Sequence, residues 1–243
     1  MREKGDCGDA AVLFLSIWSR KKCIKKLYLA CICLLLETFM SDVRTTGKKS
    51  SNTLVRDLVN VGIFSALYIV LGFMSSSIGY IPALIVFSTA SIALVTSVPM
   101  FLFYSKIERP ILCCMLFCGI FGGAMLVMGQ SIIMFAISLA VGLLSGTILK
   151  IIGKNFAGLY MANIVLSLMS SSMMLPLWLY TEEYLEYTRG MCDEGYVAKL
   201  AELSNSIWPL VGIYTFGILG AVIGGLVARR IMKKHFERIG LAR

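Results

Sequence analysis

The residues best suited to contact a solute are uncharged, and four of them fall on one side of a single predicted helix. Asn163, Ser167, Ser170 and Met174 follow one another at intervals of four, three and four residues, which places them on one helical face. An amide and two hydroxyls on one face can hydrogen-bond a small ligand. They can equally join neighbouring helices inside a membrane, and the spacing alone leaves both interpretations open.

Aromatic side chains follow this polar face and return at the start of the last apolar segment. Trp178 and Tyr180 come after the face, and Trp208 and Tyr214 open the final segment. Aromatic residues at this depth are typical of interfacial belts, and they also suit the roof of a site that stacks on a flat ligand. Gln130, in a turn, is the one amide placed where a solute could meet it, unless it is simply a solvated turn residue.

Catalytic and metal chemistry have little support in this sequence. The only histidine, His235, lies in the C-terminal tail, and the apolar segments contain no Asp, Glu, Lys, Arg or His. Inside membranes, such residues mark proton relays, ion pathways and catalytic centres. No Walker A motif is present, because the Gly153-Lys154 pair would need a glycine where Ile148 stands. We therefore expect no enzyme, no metal and no cofactor, and any transport must draw its energy from another subunit.

The segments that position these residues are long enough to cross a membrane. The chain has 243 residues, of which 58% are hydrophobic and 15% charged, whereas a soluble domain carries about 25% charge. A spanning helix needs about 20 apolar residues. Uncharged blocks at 58–105 and 110–149, each broken near its middle, provide two crossings apiece, and 155–181 and 203–228 provide one each. We predict an all-α bundle of six transmembrane helices at about 58–78, 82–105, 110–129, 131–149, 155–180 and 206–228, with an outer loop at 181–205.

Basic residues predict the orientation of this bundle. They collect at one side of the predicted helices, at Lys48, Lys49, Arg56, Lys106, Arg109, Lys150, Lys154 and in the tail from Arg229 to Arg238. Because Lys and Arg accumulate in cytoplasmic loops, we predict that both chain ends lie in the cytoplasm. The outer loop holds six acidic residues against Arg189 and Lys199. We interpret the basic tail as an anchor at anionic lipid headgroups and expect no nucleic acid partner.

Residues 1–39 differ from the rest of the chain. Their longest apolar run, 27–36, has ten residues, which is too short to span a bilayer. A cleaved signal peptide would leave the new N-terminus outside, against the predicted orientation. We expect translation to start at Met40, so that 1–39 is a non-native or unstructured extension and 40–243 is the membrane domain; N-terminal sequencing tests this.

Small residues four apart recur in four of the predicted helices and allow helices to approach closely. The pairs are Gly62 and Ala66, Gly119 and Gly123, Gly142 and Gly146, and Gly220 and Gly224. Because the spacing is shared, it predicts a tight bundle and identifies no partner face.

Two segments resemble a known family. RDLVNVGIFSALY at 56–68 and KKHFERIG at 233–240 are similar to the Trep_Strep family of small hydrophobic bacterial proteins, which is grouped with the S components of energy-coupling factor (ECF) transporters. The resemblance covers about residues 54–243. It implies an S-component-like bundle in the bacterial cytoplasmic membrane that captures a micronutrient and docks on a coupling transmembrane subunit with two ATPase subunits.

The resemblance also implies where these contacts lie. S components dock through a small-residue face of the first helix, which Gly62 and Ala66 would provide here. They hold their ligand near the outer surface, between the last three helices and under outer loops. This agrees with the polar and aromatic residues above, and the predicted substrate-binding residues are Gln130, Asn163, Ser167, Ser170, Trp178, Trp208 and Tyr214.

The leading hypothesis is therefore a substrate-binding S subunit of an ECF-type importer. The alternative is a membrane scaffold or assembly factor whose small-residue faces bind a partner without any ligand. An enzyme is disfavoured because no acid, base or nucleophile constellation is present.

Overall fold

The computed structural model describes residues 51–81, 84–190 and 192–238, with backbone alone at 51–52, 80 and 234–238. The predictions for residues 1–39 and for a start at Met40 lie outside these ranges. The described elements are α1 (Ser51–Ser76), a 3-10 turn (Ser77–Tyr80), α2 (Ile85–Lys106), α3 (Pro110–Val127), α4 (Ile132–Ile152), α5 (Phe156–Ser171), a 3-10 turn (Ser172–Met174), α6 (Pro176–Leu179), α7 (Thr181–Arg189), α8 (Glu194–Ser204) and α9 (Trp208–Arg238).

Six of the described helices are long and apolar enough to cross a membrane, as the sequence predicts. These spans are Thr53–Gly79, Ile85–Lys106, Pro110–Val127, Ile132–Ile152, Phe156–Met174 and Trp208–Lys233. A helix satisfies its own backbone hydrogen bonds, which is why long uncharged runs adopt this form in lipid.

The fifth span is shorter than the predicted continuous helix over 155–180. Helix α5 ends at Ser171, and Pro176 begins the separate short helix α6. Proline has no amide hydrogen to donate to the carbonyl four residues earlier, which here belongs to Ser172. That carbonyl instead accepts from the backbone nitrogen of Leu175 at 3.0 Å, and the chain tightens into a 3-10 turn.

A buried carboxylate ties the start of α1 to the connection between α2 and α3. Asp57 is only 1% exposed, and its carboxylate accepts from the backbone nitrogens of Glu108 and Arg109 at 3.2 Å each. Arg56 forms an ion pair with the Glu108 carboxylate. The sequence placed Asp57 just before the first apolar block and gave no sign that it is buried.

Cations and aromatic rings meet at the same end of neighbouring helices. The Lys106 ammonium lies 5.9 Å from the centre of the Phe64 ring, and the Arg229 guanidinium lies 5.1 Å from that of Phe156. Both are within the range of cation–π attraction. We call this end of the bundle the basic end, and the opposite end, which carries residues 175–207, the loop end.

Two of the four small-residue pairs lie in close helix contacts. A side-chain carbon added at Gly142 would lie 2.8 Å from the Cys114 carbonyl oxygen, and one at Gly224 would lie 2.8 Å from that of Leu94. Glycine therefore allows α4 to pack on α3, and α9 on α2. A carbon added at Gly62 would meet no described atom within 4 Å, so within the described residues the α1 pair makes no close helix contact.

Candidate functional site

Helices α6, α7 and α8 form a small apolar layer at the loop end, which we call the cap (residues 176–204). Leu177, Leu185, Val197 and Leu200 are buried together against Ile85 at the start of α2. The predicted outer loop is thus mostly helical, and its apolar side chains face the bundle while its acidic residues lie exposed.

Two tyrosines of the cap bind the connections between spanning helices. Tyr187 donates its hydroxyl hydrogen to the Met128 carbonyl oxygen at 2.5 Å, after the end of α3. Tyr196 donates to the Gly79 carbonyl oxygen at 3.2 Å, after the end of α1. The cap is therefore joined to the loop ends of both helices.

The turn that receives Tyr187 depends on a glycine. Gly129 has a φ of 88°, a conformation that side chains disfavour. A carbon added there would lie 2.8 Å from Cε2 of Tyr187, so the tyrosine ring occupies the space of the missing side chain. The predicted site residue Gln130 follows directly and is half-buried; its backbone nitrogen donates to the Met125 carbonyl.

Tyr184 lies on the inner side of the cap. Its hydroxyl is 3.8 Å from the Met174 sulfur. Burial, followed by the neighbouring Tyr196 and Tyr187, raises the pKa of Tyr184 to about 12. The tyrosine is thus held in a dry environment beside the end of the fifth span, where charge is disfavoured.

A pocket lies between α1, α2, α3 and α5 in the loop-end half of the bundle. It is lined by Tyr68, Ile69, Gly72, Phe73, Ser76, Ile92, Phe121, Met125, Ser170 and Met173. The cavity volume is about 30 Å³, within an empty space of about 320 Å³ that includes its open mouth. No charged side chain is among these lining residues.

Tyr68 is the central residue of this pocket. It is 2% exposed, and its ring makes edge-to-face contacts with Phe117 and Phe121 at centroid distances of 5.3 and 5.4 Å. Its hydroxyl faces those of Ser170 and Thr96. The pocket floor therefore combines aromatic surface with the hydroxyl-bearing side chains of Tyr68 and Ser170.

The predicted polar face of α5 divides between two roles. Asn163 is buried, and its amide nitrogen donates to Ser97 Oγ at 2.9 Å and to the Ala221 carbonyl at 3.2 Å. It thereby joins α5 to α2 and α9. Ser167 donates to the Ile164 carbonyl within its own helix.

Ser170 is the one predicted site residue that lines the pocket. Its hydroxyl donates to the Ser167 carbonyl oxygen at 2.9 Å, and it lies beside the Tyr68 hydroxyl. Met174, further along the same face, packs with the cap instead.

The predicted aromatic residues lie at the loop end but not together. Trp178 donates its indole hydrogen to the Ser206 carbonyl at 2.8 Å, which fixes α6 to the segment before α9. The Tyr214 hydroxyl is 3.1 Å from Ser172 Oγ. Trp208 is 77% exposed.

Sequence reasoning missed most of the pocket. Tyr68, Gly72, Phe121 and Met125 lie in uniformly apolar spans, where helical periodicity does not separate pocket-lining residues from core residues. The only available signal was Tyr68, the one tyrosine in the continuous part of the first span. In the described residues, no group of three or more His, Cys, Asp or Glu is placed to hold a metal ion.

The predicted docking pair lies on the exposed side of α1. Gly62 and Ala66 are both exposed, and the flanking Leu58, Val59 and Ile63 are 45–58% exposed. Only 28% of the most apolar stretch of this helix is buried, compared with 56% for α2 and for α3. Among the described residues, no other helix covers this face of α1.

Comparisons with known proteins give one match. A family model described as "Hypothetical bacterial integral membrane protein (Trep_Strep)" matches residues 55–238. The comparisons with curated proteins and with solved structures returned no significant match. The match covers five of the apolar spans in full and the first from residue 55 onward, and it identifies a multi-pass integral membrane protein. The chain therefore belongs to the Trep_Strep family of bacterial integral membrane proteins.

Proposed function

We propose that this protein is a substrate-binding S subunit of an ECF-type importer, which captures a small molecule and docks on a coupling subunit. One observation carries the proposal: a single face of α1 bears both an open small-residue pair and the mouth of the pocket. Gly62, Ala66, Ile69 and Phe73 follow at intervals of four, three and four residues and so share a face. Ile69 and Phe73 line the pocket, whereas Gly62 and Ala66 lie nearer the basic end.

This arrangement places the ligand and the partner on one helix. A partner packed against Gly62 and Ala66 would lie directly beside the pocket mouth at Phe73. Movement of α1 on docking would then change the shape of the pocket, because Tyr68 on the buried side of the same helix forms the pocket floor. In such a mechanism the bound solute and the coupling subunit influence each other's affinity.

In this proposal the loop end faces outside and the basic end faces the cytoplasm, in keeping with the positive-inside rule. The cap then covers the outer surface, and its acidic residues face the medium. The protein itself is not an enzyme in this proposal: two ATPase subunits bound to the coupling subunit supply the energy, because the uncharged blocks 58–105, 110–149, 155–181 and 203–228 hold no Asp, Glu, Lys, Arg or His for ion coupling.

A scaffold or assembly factor is the second candidate, favoured by the same exposed face of α1. Close packing at Gly62 and Ala66 requires no ligand. The pocket is then only a packing defect, and the two candidates differ in whether the purified protein holds a small molecule.

The test uses purified full-length protein, alone and co-expressed with the coupling subunit and ATPases. Native mass spectrometry of the protein alone should show a small-molecule adduct. Gly62→Leu should abolish copurification with the coupling subunit and keep the adduct, because a bulky side chain prevents close helix approach. Gly123→Leu is the matched control: it also adds its side chain where no described atom lies within 4 Å, but on α3.

Two results would count against the importer subunit. An unchanged yield of complex with Gly62→Leu would remove the docking assignment. A ligand-free protein that copurifies with an unrelated membrane complex through α1 would favour the scaffold instead.

A further inference from the structure

The pocket opens sideways, at a depth where the protein surface meets lipid. Its buried floor consists of Tyr68, Ile92, Phe121, Met125 and Ser170, each less than 8% exposed. The more exposed residues of its rim come mainly from α1. The largest side chain among them is Phe73, which is 42% exposed. The mouth therefore opens at the periphery of the bundle, beside the exposed face of α1, and not along the bundle axis.

The depth of the mouth follows from helix geometry. Gly72 lies fifteen residues after Asp57, the last charged residue before the first apolar block, which is about 22 Å along a helix at about 1.5 Å per residue. The hydrocarbon core is about 30 Å thick. The mouth thus lies within the hydrocarbon layer, in the half nearer the loop end, and the exposed neighbours Val70 and Met74 suit that layer.

The direct route from water at the loop end is obstructed. Tyr187 and Tyr196 attach the cap to the connections that follow α3 and α1, the two helices that supply most of the pocket lining. A third bond, from Trp178 to Ser206, attaches α6 to the segment before α9. A solute that arrives from water would have to break these contacts, while one dissolved in the bilayer would only have to displace Phe73.

The lining chemistry selects against charge. An ion moved into such an apolar site loses hydration worth many kcal/mol, and no charged lining residue is available to compensate. A hydroxyl or carbonyl on the ligand, in contrast, can hydrogen-bond a hydroxyl of the lining residues Tyr68 and Ser170. The cavity of about 30 Å³ has room for about two waters, so a larger ligand enters edge-on and moves the side chains at the rim.

We infer that the pocket binds an uncharged, lipophilic small molecule with one hydrogen-bonding group, and that this molecule enters laterally from the bilayer between α1 and the neighbouring helices. The inference rests on the proposed function of solute capture, and it specifies the class of substrate that the protein would capture. Gly72 has a specific place in it: a side-chain carbon there would meet no described atom within 4 Å, so among the described residues this glycine leaves the entrance open.

The test is competitive photolabelling of the full-length protein in lipid nanodiscs. The probe is 3-trifluoromethyl-3-phenyldiazirine, which is small, apolar and uncharged, and labelled positions are mapped by mass spectrometry. We expect labelling at Met125 and Met173 that 2-naphthol displaces saturably. The charged analogue 2-naphthalenesulfonate, which has the same ring system, should leave that labelling in place.

Three variants make the result specific to the pocket. Gly72→Leu fills the entrance and should reduce labelling at Met125 and Met173 by about tenfold, corresponding to about 1.4 kcal/mol. Tyr68→Phe keeps the ring and removes the hydroxyl, so the 2-naphthol concentration needed for displacement should rise about fivefold. Gly123→Leu, away from the pocket, should behave like the wild type.

The outcomes separate this inference from the proposed function. Two results would overturn lateral capture of a lipophilic ligand. One is equal displacement by 2-naphthalenesulfonate, and the other is labelling and displacement that are unchanged in both Gly72→Leu and Tyr68→Phe. If native mass spectrometry then shows a bound water-soluble molecule, capture survives with a different substrate class. If no small molecule is bound and no labelling saturates, both fail.

Discussion

Gly129→Ala should open the cap without altering any residue of the cap itself. The positive φ of 88° at this position makes a side chain unfavourable by about 1–3 kcal/mol. The new carbon would also lie 2.8 Å from the Tyr187 ring, so the ring must move and its hydrogen bond to the Met128 carbonyl is lost. That bond contributes about 1 kcal/mol.

The expected magnitude follows from these two terms. Loss of the hydrogen bond alone, as in Tyr187→Phe, should raise the open fraction of the cap about fivefold. The combined loss in Gly129→Ala is about 2 kcal/mol at the lower end of the two terms, which should raise the open fraction about thirtyfold or more. Limited trypsin digestion measures this, because Arg189 and Lys199 are exposed cleavage sites in the cap. Proteolysis follows the open population when opening is fast relative to cleavage.

Gly153→Ala is the matched control. Gly153 also has a positive φ, of 86°, but in the described part of the chain no atom lies within 4 Å of a side-chain carbon added there, and it follows α4 at the basic end. Both variants should lower the melting temperature, and only Gly129→Ala should accelerate cleavage at Arg189. Equal acceleration in both variants would refute the assignment of Tyr187 as an attachment of the cap.

Three further predictions concern other parts of the chain. Asp57→Ala should lower the free energy of unfolding by about 1–3 kcal/mol in a thermal or denaturant melt, because the backbone nitrogens of Glu108 and Arg109 lose a buried acceptor; Asp57→Asn should cost less. The pKa of Tyr184, raised to about 12 by burial, means that the folded cap keeps this proton more tightly than the unfolded cap, so cap stability should be complete below about pH 10 and decline between about pH 10 and 12. Tyr184→Phe should reduce this decline in melting temperature between about pH 10 and 12, and an unchanged profile would contradict the burial of Tyr184. Cys192, half-buried in the cap, should react with a membrane-impermeant maleimide in intact cells, with Cys192→Ser as control; reaction only after lysis would reverse the proposed orientation.

The sequence was sufficient for the spanning helices because lipid imposes one simple requirement on them. Each span must be long, apolar and internally hydrogen-bonded, and these features are visible in the order of residues. The end of α5 was harder to predict. Pro176 indicated a kink. The early end at Ser171 depends, however, on how the Ser172 carbonyl replaces the hydrogen bond that Pro176 cannot donate, and this is a property of the folded chain.

The site was less predictable because apolar pocket walls carry no periodic signal. Polar residues on α5 were visible from their spacing, whereas Phe121 and Met125 look like any other residues of α3. The cap contacts were also hidden, since Tyr187 and Tyr196 bind backbone carbonyls that every residue possesses. Nothing in the composition of the turn after α3, apart from Gly129, marks it as the target of Tyr187.

Hydrogen-bond capacity separates the polar residues that sequence spacing had grouped together. Asn163 donates both of its amide hydrogens to neighbouring helices, so a ligand that used them would have to break a contact that joins three helices. Ser170 donates to its own helix and meets the Tyr68 hydroxyl at the pocket floor, where hydrogens can rotate toward a ligand oxygen without separating any helices. Inside a membrane each lost hydrogen bond lacks a water to replace it. A ligand should therefore select the hydroxyl group of Tyr68 and Ser170 over the amide of Asn163, and Asn163→Ala should lower stability more than it lowers ligand affinity.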